Sequence, residues 1–201
     1  MKKQIFLLLA IACQVLIAQS LNGQAKAVTY SVVAGLSKSS IVGESESWKD
    51  PIGGQAGIII SIANFSESMS FKIEANLSMQ GAKWEETINQ TPVEGRTNLL
   101  YLNLPLVIRY RFKKGFFAEA GVQPGLLLSA KDKYSGITDD YKDYVNKFDL
   151  SIPVGIGYEF KKNFAVGLRA IPGITNINAE GTAKDRNFVV ALRGIYTFEK
   201  K

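Results

Sequence analysis

The sequence has no histidine and a single cysteine, Cys13, among its 201 residues. Without an imidazole, the chain can form neither a Ser-His nor a Cys-His catalytic pair, and no histidine can bind a metal ion. We therefore expect no enzyme activity and no cofactor. No stretch combines clustered basic residues with stacking aromatic residues, so the net charge of +6 does not predict a nucleic-acid partner.

The chain also lacks a hydrophobic run long enough for a membrane-spanning helix. Its apolar stretch from Ile5 to Ile17 is too short, follows a basic Met1-Lys2-Lys3, and precedes small and polar residues. This order is typical of a secretory signal peptide, which we assign to residues 1–24, with cleavage after Ser20 or a few residues later. The expected mature domain, 25–201, then contains no thiol.

What the chain has instead is strict alternation of apolar and polar residues. The pattern is clearest from Asn98 to Lys131, where two long segments flank a short turn at Lys113–Gly115. Every second residue from Leu100 to Phe112 is apolar, and the residues between them are mixed or polar. A period of two over this length predicts two long β-strands, each with one apolar face.

Eight segments of the expected mature chain alternate in this way, although the second is the least regular: 28–36, 54–62, 69–80, 98–112, 116–131, 148–160, 164–174 and 187–198. Most of them reach the roughly 9–11 residues that a tilted strand needs to cross a bilayer. Long polar connections alternate with short ones. Together these features predict an all-β fold: an eight-stranded antiparallel up-and-down transmembrane barrel with long outer loops.

The hairpin 98–131 recurs after a shift of 48 residues, which lays Tyr110 on Tyr158 and Phe116 on Phe164. Closing the first hairpin at its short turn predicts a contact between Arg109 and Glu119. Proline donates no ladder hydrogen bond, so we expect bulges or ladder gaps at the strand prolines of this repeat. These are Pro105, Pro124, Pro153 and Pro172.

The polar faces decide which side of the barrel is outside. Their charges are few and nearly balanced, which suits a lumen, because buried charges require partners. Arg169 and Arg193 lie near mid-strand, where facing lipid would cost about 2–4 kcal/mol each. We therefore predict an apolar exterior and a lumen polar network. Its members are Lys72, Glu74, Arg109, Arg111, Glu119, Asp149, Glu159, Arg169 and Arg193.

Aromatic residues recur as Tyr-x-Phe at the ends of the fourth, sixth and eighth segments. Such recurrence is typical of an aromatic girdle at a membrane interface, although packing in a core would suit any single residue. The predicted girdle contains Tyr110, Phe112, Phe116, Tyr158, Phe160, Phe164, Tyr196 and Phe198.

Two stretches carry a family resemblance: YLNLPLVIRYRFKKGFFAEAGVQPGLLLSAK and FDLSIPVGIGYEFKKNFAVGLRAIPGITNI. Their motifs are a Leu-Pro-Leu strand, Tyr-x-Phe before a basic tight turn, and Ala-Gly-x-x-x-Gly after it. The chain resembles the PorT-like outer-membrane β-barrel domain family common in Bacteroidetes, from Val28 to Phe198. The resemblance implies an eight-stranded outer-membrane barrel, and one branch of that family is associated with protein secretion.

The sequence favours a monomeric outer-membrane barrel with a side-chain-filled lumen. We expect it to contact outer-membrane lipid and to serve a structural or interaction role through its long extracellular loops, with an envelope protein as a possible partner. A passive small-solute channel and a soluble periplasmic ligand-binding barrel of lipocalin type are the alternatives. The loop 132–147 contains four aspartates. They suit a solvated loop better than a calcium site, because their spacing matches no known calcium loop.

Overall fold

The computed structural model describes residues 28–43, 51–64, 68–88, 91–160, 163–179 and 184–198. The predicted signal segment, 1–24, lies outside these ranges. In the described part of the chain, no helix has both the length and the apolar character needed to cross a membrane.

The described residues form one antiparallel sheet of eleven strands. The strands are β1 (Thr29–Val42), β2 (Ile52–Asn64), β3 (Met69–Ile88), β4 (Thr91–Asn103), β5 (Leu106–Arg111), β6 (Phe116–Tyr134), β7 (Ile137–Asp140), β8 (Phe148–Ser151), β9 (Val154–Glu159), β10 (Phe164–Pro172) and β11 (Arg186–Thr197). The pairings run from β2 through β1, β11, β10, β9, β6 and β4 to β3, and β3 pairs with β2, so the sheet closes into a barrel.

The closed ring contains eight strands, as the alternation predicts. β4 and β5 are two parts of one strand, because Asn103 pairs with Gly125 and Leu106 with Val122 in an unchanged register. β8 and β9 are likewise two parts of one strand beside β6. β7 pairs with β6 alone and lies outside the ring.

The prolines interrupt a strand at two of the four positions where a bulge or ladder gap is expected. Pro105 lies between β4 and β5, and Pro153 between β8 and β9. Pro124 and Pro172 instead stay within their strands, paired with Leu150 and Phe188. Their carbonyls accept hydrogen bonds from Leu104 and Ile152 at 2.8 and 3.0 Å, because a proline loses its ladder donor but keeps its acceptor.

Two of the predicted long loops are largely strand. β3 and β4 remain paired from Gln80–Leu99 out to Ile88–Thr91. β6 runs on to Tyr134 and turns through Ser135 and Gly136, whose φ values of 45° and 81° suit a two-residue hairpin turn. Both extensions are polar enough to read as loops, yet paired backbones satisfy their N–H and C=O groups as well as water would.

The apolar face of the barrel points outward. Leu168 and Leu192 are half exposed, whereas their sequence neighbours Arg169 and Arg193 are 1% exposed. The lumen is filled by side chains. One apolar cluster includes Phe117 and lies near the short turn Lys113–Gly115. A second apolar cluster lies toward the long loops and includes Tyr101, Leu127 and Val145. We call the end of the barrel at the turn Lys113–Gly115 the short-turn end, and the opposite end, where the long connections lie, the long-loop end.

Candidate functional site

The centre of the lumen contains a cluster of five buried charged residues, here called the central cluster. Period-two alternation turns each of them inward from a different strand. Each is at most 6% exposed. Its members are Glu74, Arg109, Glu119, Arg169 and Arg193.

Glu74 accepts hydrogen bonds from two arginines across the lumen. Arg169 donates to both carboxylate oxygens of Glu74 through Nη1 and Nη2, each at 2.9 Å. Arg193 donates to the same carboxylate through Nη2 at 2.6 Å. Bidentate arginine–carboxylate pairing is among the strongest hydrogen-bonding arrangements in proteins.

Glu119 is the second carboxylate of the central cluster and contacts all three arginines. The predicted contact with Arg109 is present: the two residues pair across β5 and β6, and Arg109 donates through Nε and Nη2 at 3.0 and 2.8 Å. Arg169 donates to the other oxygen through Nε at 2.9 Å and also through Nη2. The Arg109 guanidinium also lies 3.8 Å from the centre of the Phe117 ring.

A pocket of about 340 Å³ opens at the short-turn end, and its lining includes Lys72, Arg109, Arg111 and Glu159. Lys72 is buried and donates to the Ser61 hydroxyl at 3.0 Å. Glu159 accepts from Arg111 Nε at 2.6 Å and from Arg109 Nη1 at 3.3 Å. The Arg111 side chain is 45% exposed, so this residue lies at the mouth of the lumen rather than inside it, because β5 ends there.

Asp149 faces the lumen but does not join the charge pairs. It accepts hydrogen bonds from the hydroxyls of Ser151 and Thr175, both at 2.7 Å. Asp149 pairs with Gly125, six positions along β6 from Glu119. The stagger of the strands therefore places this carboxylate in the long-loop half of the lumen. Asp149 is thus buried in the lumen, as the alternation predicts, with hydroxyl groups rather than arginines as its hydrogen-bond partners.

The predicted girdle residues lie together at the short-turn end, with their side chains on the outer face. Seven of the eight are 43–58% exposed, and Tyr158 is intermediate. Edge-to-face contacts join Tyr110 to Phe112 and Phe116 to Tyr158, each with ring centres 4.9 Å apart. Their position at a membrane interface stays a prediction.

The long-loop end contains contacts that the sequence pattern did not reveal. Trp84 donates through Nε1 to Asp132 at 3.0 Å, and the Thr97 hydroxyl lies 3.1 Å from the same oxygen. The Tyr134 hydroxyl donates to Asp139 at 2.6 Å, and this bond raises the pKa of Tyr134 above its usual value. Asp140 accepts from the Lys142 backbone amide at 3.0 Å, so three of the four aspartates in 132–147 are engaged by neutral donors. No group of three or more metal-ligating side chains occurs among the described residues.

No curated protein matches the chain significantly. Neisserial surface protein A has a similar structure, with 11% sequence identity, coverage of 86% of this chain and 100% of that one, and a TM-score of 0.60. Ail of Yersinia pestis, in complex with the heparin analogue sucrose octasulfate, has 13% identity, coverage of 85% and 99%, and a TM-score of 0.49. OprG from Pseudomonas aeruginosa has 14% identity, coverage of 87% and 98%, and a TM-score of 0.43. At such identities, the likeness to the first shows the fold alone.

The sequence itself matches a family. The profile of the outer membrane protein beta-barrel domain covers residues 17–179, which is most of the chain. The closed eight-stranded ring, its apolar exterior and its charged lumen agree with this match. An outer-membrane location overturns the alternative of a soluble periplasmic barrel. The chain therefore belongs to the outer membrane protein beta-barrel domain family, and its place in the cell is the outer membrane.

Proposed function

We propose that this protein is a plugged outer-membrane scaffold that presents its long-loop end to a protein of the cell envelope. The observation that carries the proposal is the pair Tyr141 and Tyr144. Their rings stack with centres 5.2 Å apart and an interplanar angle of 21°. Both side chains are exposed, by 37% and 54%, at an end of the barrel that faces the cell exterior in this class of protein.

Backbone hydrogen bonds hold this tyrosine pair in place. The Tyr141 amide donates to the Ala130 carbonyl of β6 at 3.0 Å, and the Ala179 amide donates to the Tyr144 carbonyl at 3.0 Å. The pair is therefore anchored to two separate parts of the chain. A preorganised surface loses less conformational entropy on binding, and tyrosine supplies large contact area with few rotatable bonds.

A further exposed apolar side chain lies on β7, the strand that leads to Tyr141. Ile137 follows the tight turn Ser135–Gly136 and is 51% exposed. Tyr134, on the other side of that turn, is held by Asp139. Aromatic and apolar side chains on a fixed hairpin are the composition expected at the centre of a protein interface.

The filled lumen supports a scaffold role over a channel role. The central cluster and the two apolar clusters occupy successive levels of the barrel. Eight strands enclose a space that side chains can fill. We therefore propose that the protein binds its partner through the long loops rather than through the lumen.

Photo-crosslinking in living cells tests the proposal. A photoreactive amino acid at Tyr144 should give a discrete protein adduct, and the Tyr141→Ser substitution should weaken it. The matched control places the same amino acid at Leu192, which faces outward in mid-strand and should give lipid adducts. Lipid adducts at position 192 without any protein adduct at position 144 would contradict the proposal.

We further propose that the chain belongs to the PorT-like branch of outer-membrane barrels. The supporting features are the Leu-Pro-Leu strand at Leu104–Leu106 and the repeated Tyr-x-Phe before a short turn. Membership of the secretion-associated branch predicts that deleting the gene depletes specific proteins from the culture medium. Unchanged secreted proteins in the deletion strain, with restored expression as the control, would argue against that branch.

A further inference from the structure

The lumen of this barrel carries more positive than negative charge between its centre and its short-turn end. In the described part of the chain, five cationic side chains and three carboxylates form one continuous group, which leaves two positive charges in excess. The cations are Lys72, Arg109, Arg111, Arg169 and Arg193, and the carboxylates are Glu74, Glu119 and Glu159. Asp149 does not compensate this excess, because its partners are Ser151 and Thr175.

Lys72 is the buried cation that lacks a carboxylate partner. Its side chain is buried, and its hydrogen bond goes to the neutral Ser61 hydroxyl at 3.0 Å. Ser70 pairs with Arg109 across β3 and β5, so Lys72 lies diagonally next to another buried cation. An ammonium group has three donors, and a buried charge without a counter-charge is strongly disfavoured.

The carboxylates nearby are already engaged. Glu159 accepts from both Arg109 and Arg111, and Glu119 contacts three arginines. The excess charge faces the pocket of about 340 Å³, whose lining also includes the hydroxyl-bearing residues Thr29, Ser61, Ser70 and Thr197. Ammonium, guanidinium and hydroxyl donors around one cavity are the groups that bind oxyanions.

We propose that this pocket is a binding site for a single oxyanion group, with Lys72 and Arg109 at its base and Arg111 at its mouth. The pocket opens at the end that faces the periplasm in outer-membrane barrels. The oxyanion therefore comes from the periplasmic side. It belongs either to a soluble phosphate-bearing molecule or to the phosphate of an inner-leaflet phospholipid. The site is separate from the outer loops, so its failure would leave the proposed interaction role intact.

The test uses the refolded barrel in nanodiscs of zwitterionic lipid, titrated with inorganic phosphate. Backbone amide signals of Ser61, Lys72 and Arg109 should shift and saturate in NMR spectra. Lys72→Met should weaken phosphate binding by about tenfold or more, because it removes a charge-assisted hydrogen bond. Glu159→Gln should tighten binding, because it removes the one carboxylate that competes in the pocket. Lys133→Met at the long-loop end is the matched control and should bind like the unmodified protein.

Two further measurements complete the experiment: a folding control and a comparison of lipids. Lys72 makes no ion pair in the described structure, so Lys72→Met should fold, as heat-modifiable migration on gels will show. The second measurement uses nanodiscs that contain phosphatidylglycerol. If the Lys72 signals differ from those in zwitterionic nanodiscs before any phosphate is added, the lipid is the source of the oxyanion. Shifts that require added phosphate would identify a soluble anion. The proposal would be overturned if phosphate gave no saturable shifts in zwitterionic nanodiscs and phosphatidylglycerol left the Lys72 signals unshifted. It would also be overturned if Lys72→Met bound phosphate as tightly as the unmodified protein.

Discussion

Arg169 and Glu74 are separated by 95 positions in the sequence, yet Arg169 holds both oxygens of the Glu74 carboxylate at 2.9 Å. Arg169 lies on β10 and Glu74 on β3, and these strands are four places apart in the ring in either direction. The pair therefore spans the full width of the lumen. It connects opposite walls of the barrel, so this contact forms only when the ring closes.

Removing the Glu74 charge should destabilise the barrel strongly. Glu74→Gln leaves Arg169 and Arg193 buried with one remaining carboxylate partner, Glu119. Breaking a buried ion pair by removing one partner costs about 3–5 kcal/mol. Urea unfolding in detergent micelles, followed by heat-modifiable migration, measures this loss. Glu94→Gln, at an exposed position of β4, should change stability by less than about 0.5 kcal/mol. Equal losses of stability in Glu74→Gln and Glu94→Gln would contradict the stabilising role assigned to the ion pairs of the central cluster.

A side chain at position 157 should destabilise the barrel, because the Phe117 ring occupies the space above Gly157. A Cβ at position 157 would lie 2.2 Å from Phe117 Cζ and 2.4 Å from the Val166 carbonyl oxygen. We expect Gly157→Ala to cost about 1–3 kcal/mol through overpacking. Gly54→Ala is the control, since its Cβ would approach nothing closer than 3.8 Å. The same unfolding measurement applies, and a stable Gly157→Ala would show that both the Phe117 ring and the β10 backbone at Val166 can shift.

A charge on the outer face should cost stability according to its depth in the bilayer. Leu168 lies in the middle of β10 and is half exposed, so Leu168→Arg should lose about 2–4 kcal/mol of folding free energy in lipid. Ile174 follows the end of β10 and also faces outward. Ile174→Arg should lose only about 0–1 kcal/mol. Folding titrations in lipid vesicles compare the two, and a reversed order would contradict the membrane depth assigned to these positions.

The barrel should not conduct small ions, because side chains fill its lumen at successive levels. The buried Arg169, Arg193, Tyr101 and Phe117 are among its largest fully enclosed residues. Planar bilayers that contain the refolded protein should therefore show the conductance of the bare membrane. Insertion must be verified on the same sample by heat-modifiable migration. Regular conductance steps from inserted protein would favour the channel alternative.

The aromatic girdle can be located with spin labels on single cysteine variants. Cys13 lies in the expected signal segment, so Phe160→Cys and Leu192→Cys would each carry the one label of the mature chain. The label at position 192 should be accessible to oxygen and shielded from a water-soluble nickel chelate. The label at position 160 should be accessible to both, as expected at an interface. If the label at position 160 were as shielded from the nickel chelate as the label at position 192, the girdle would lie in the bilayer core and not at an interface.

The sequence by itself determined the strands, their apolar faces and the number of strands in the ring. Period-two alternation sets which way each side chain points, and the short turn sets the register of a hairpin. The pairing of Arg109 with Glu119 follows from these local rules, because both residues belong to adjacent strands.

Tertiary structure alone decided which charges meet across the lumen. The contact between Arg169 and Glu74, the separation of Asp149 from the arginines, and the position of Arg111 at the mouth all depend on stagger accumulated over several strands. Closure adds a fixed shear that no single hairpin reveals. The polar hairpin extension that pairs 80–88 with 91–99 could not be predicted for a related reason. Backbone pairing stabilises it, and backbone pairing leaves no mark on the alternation of side chains.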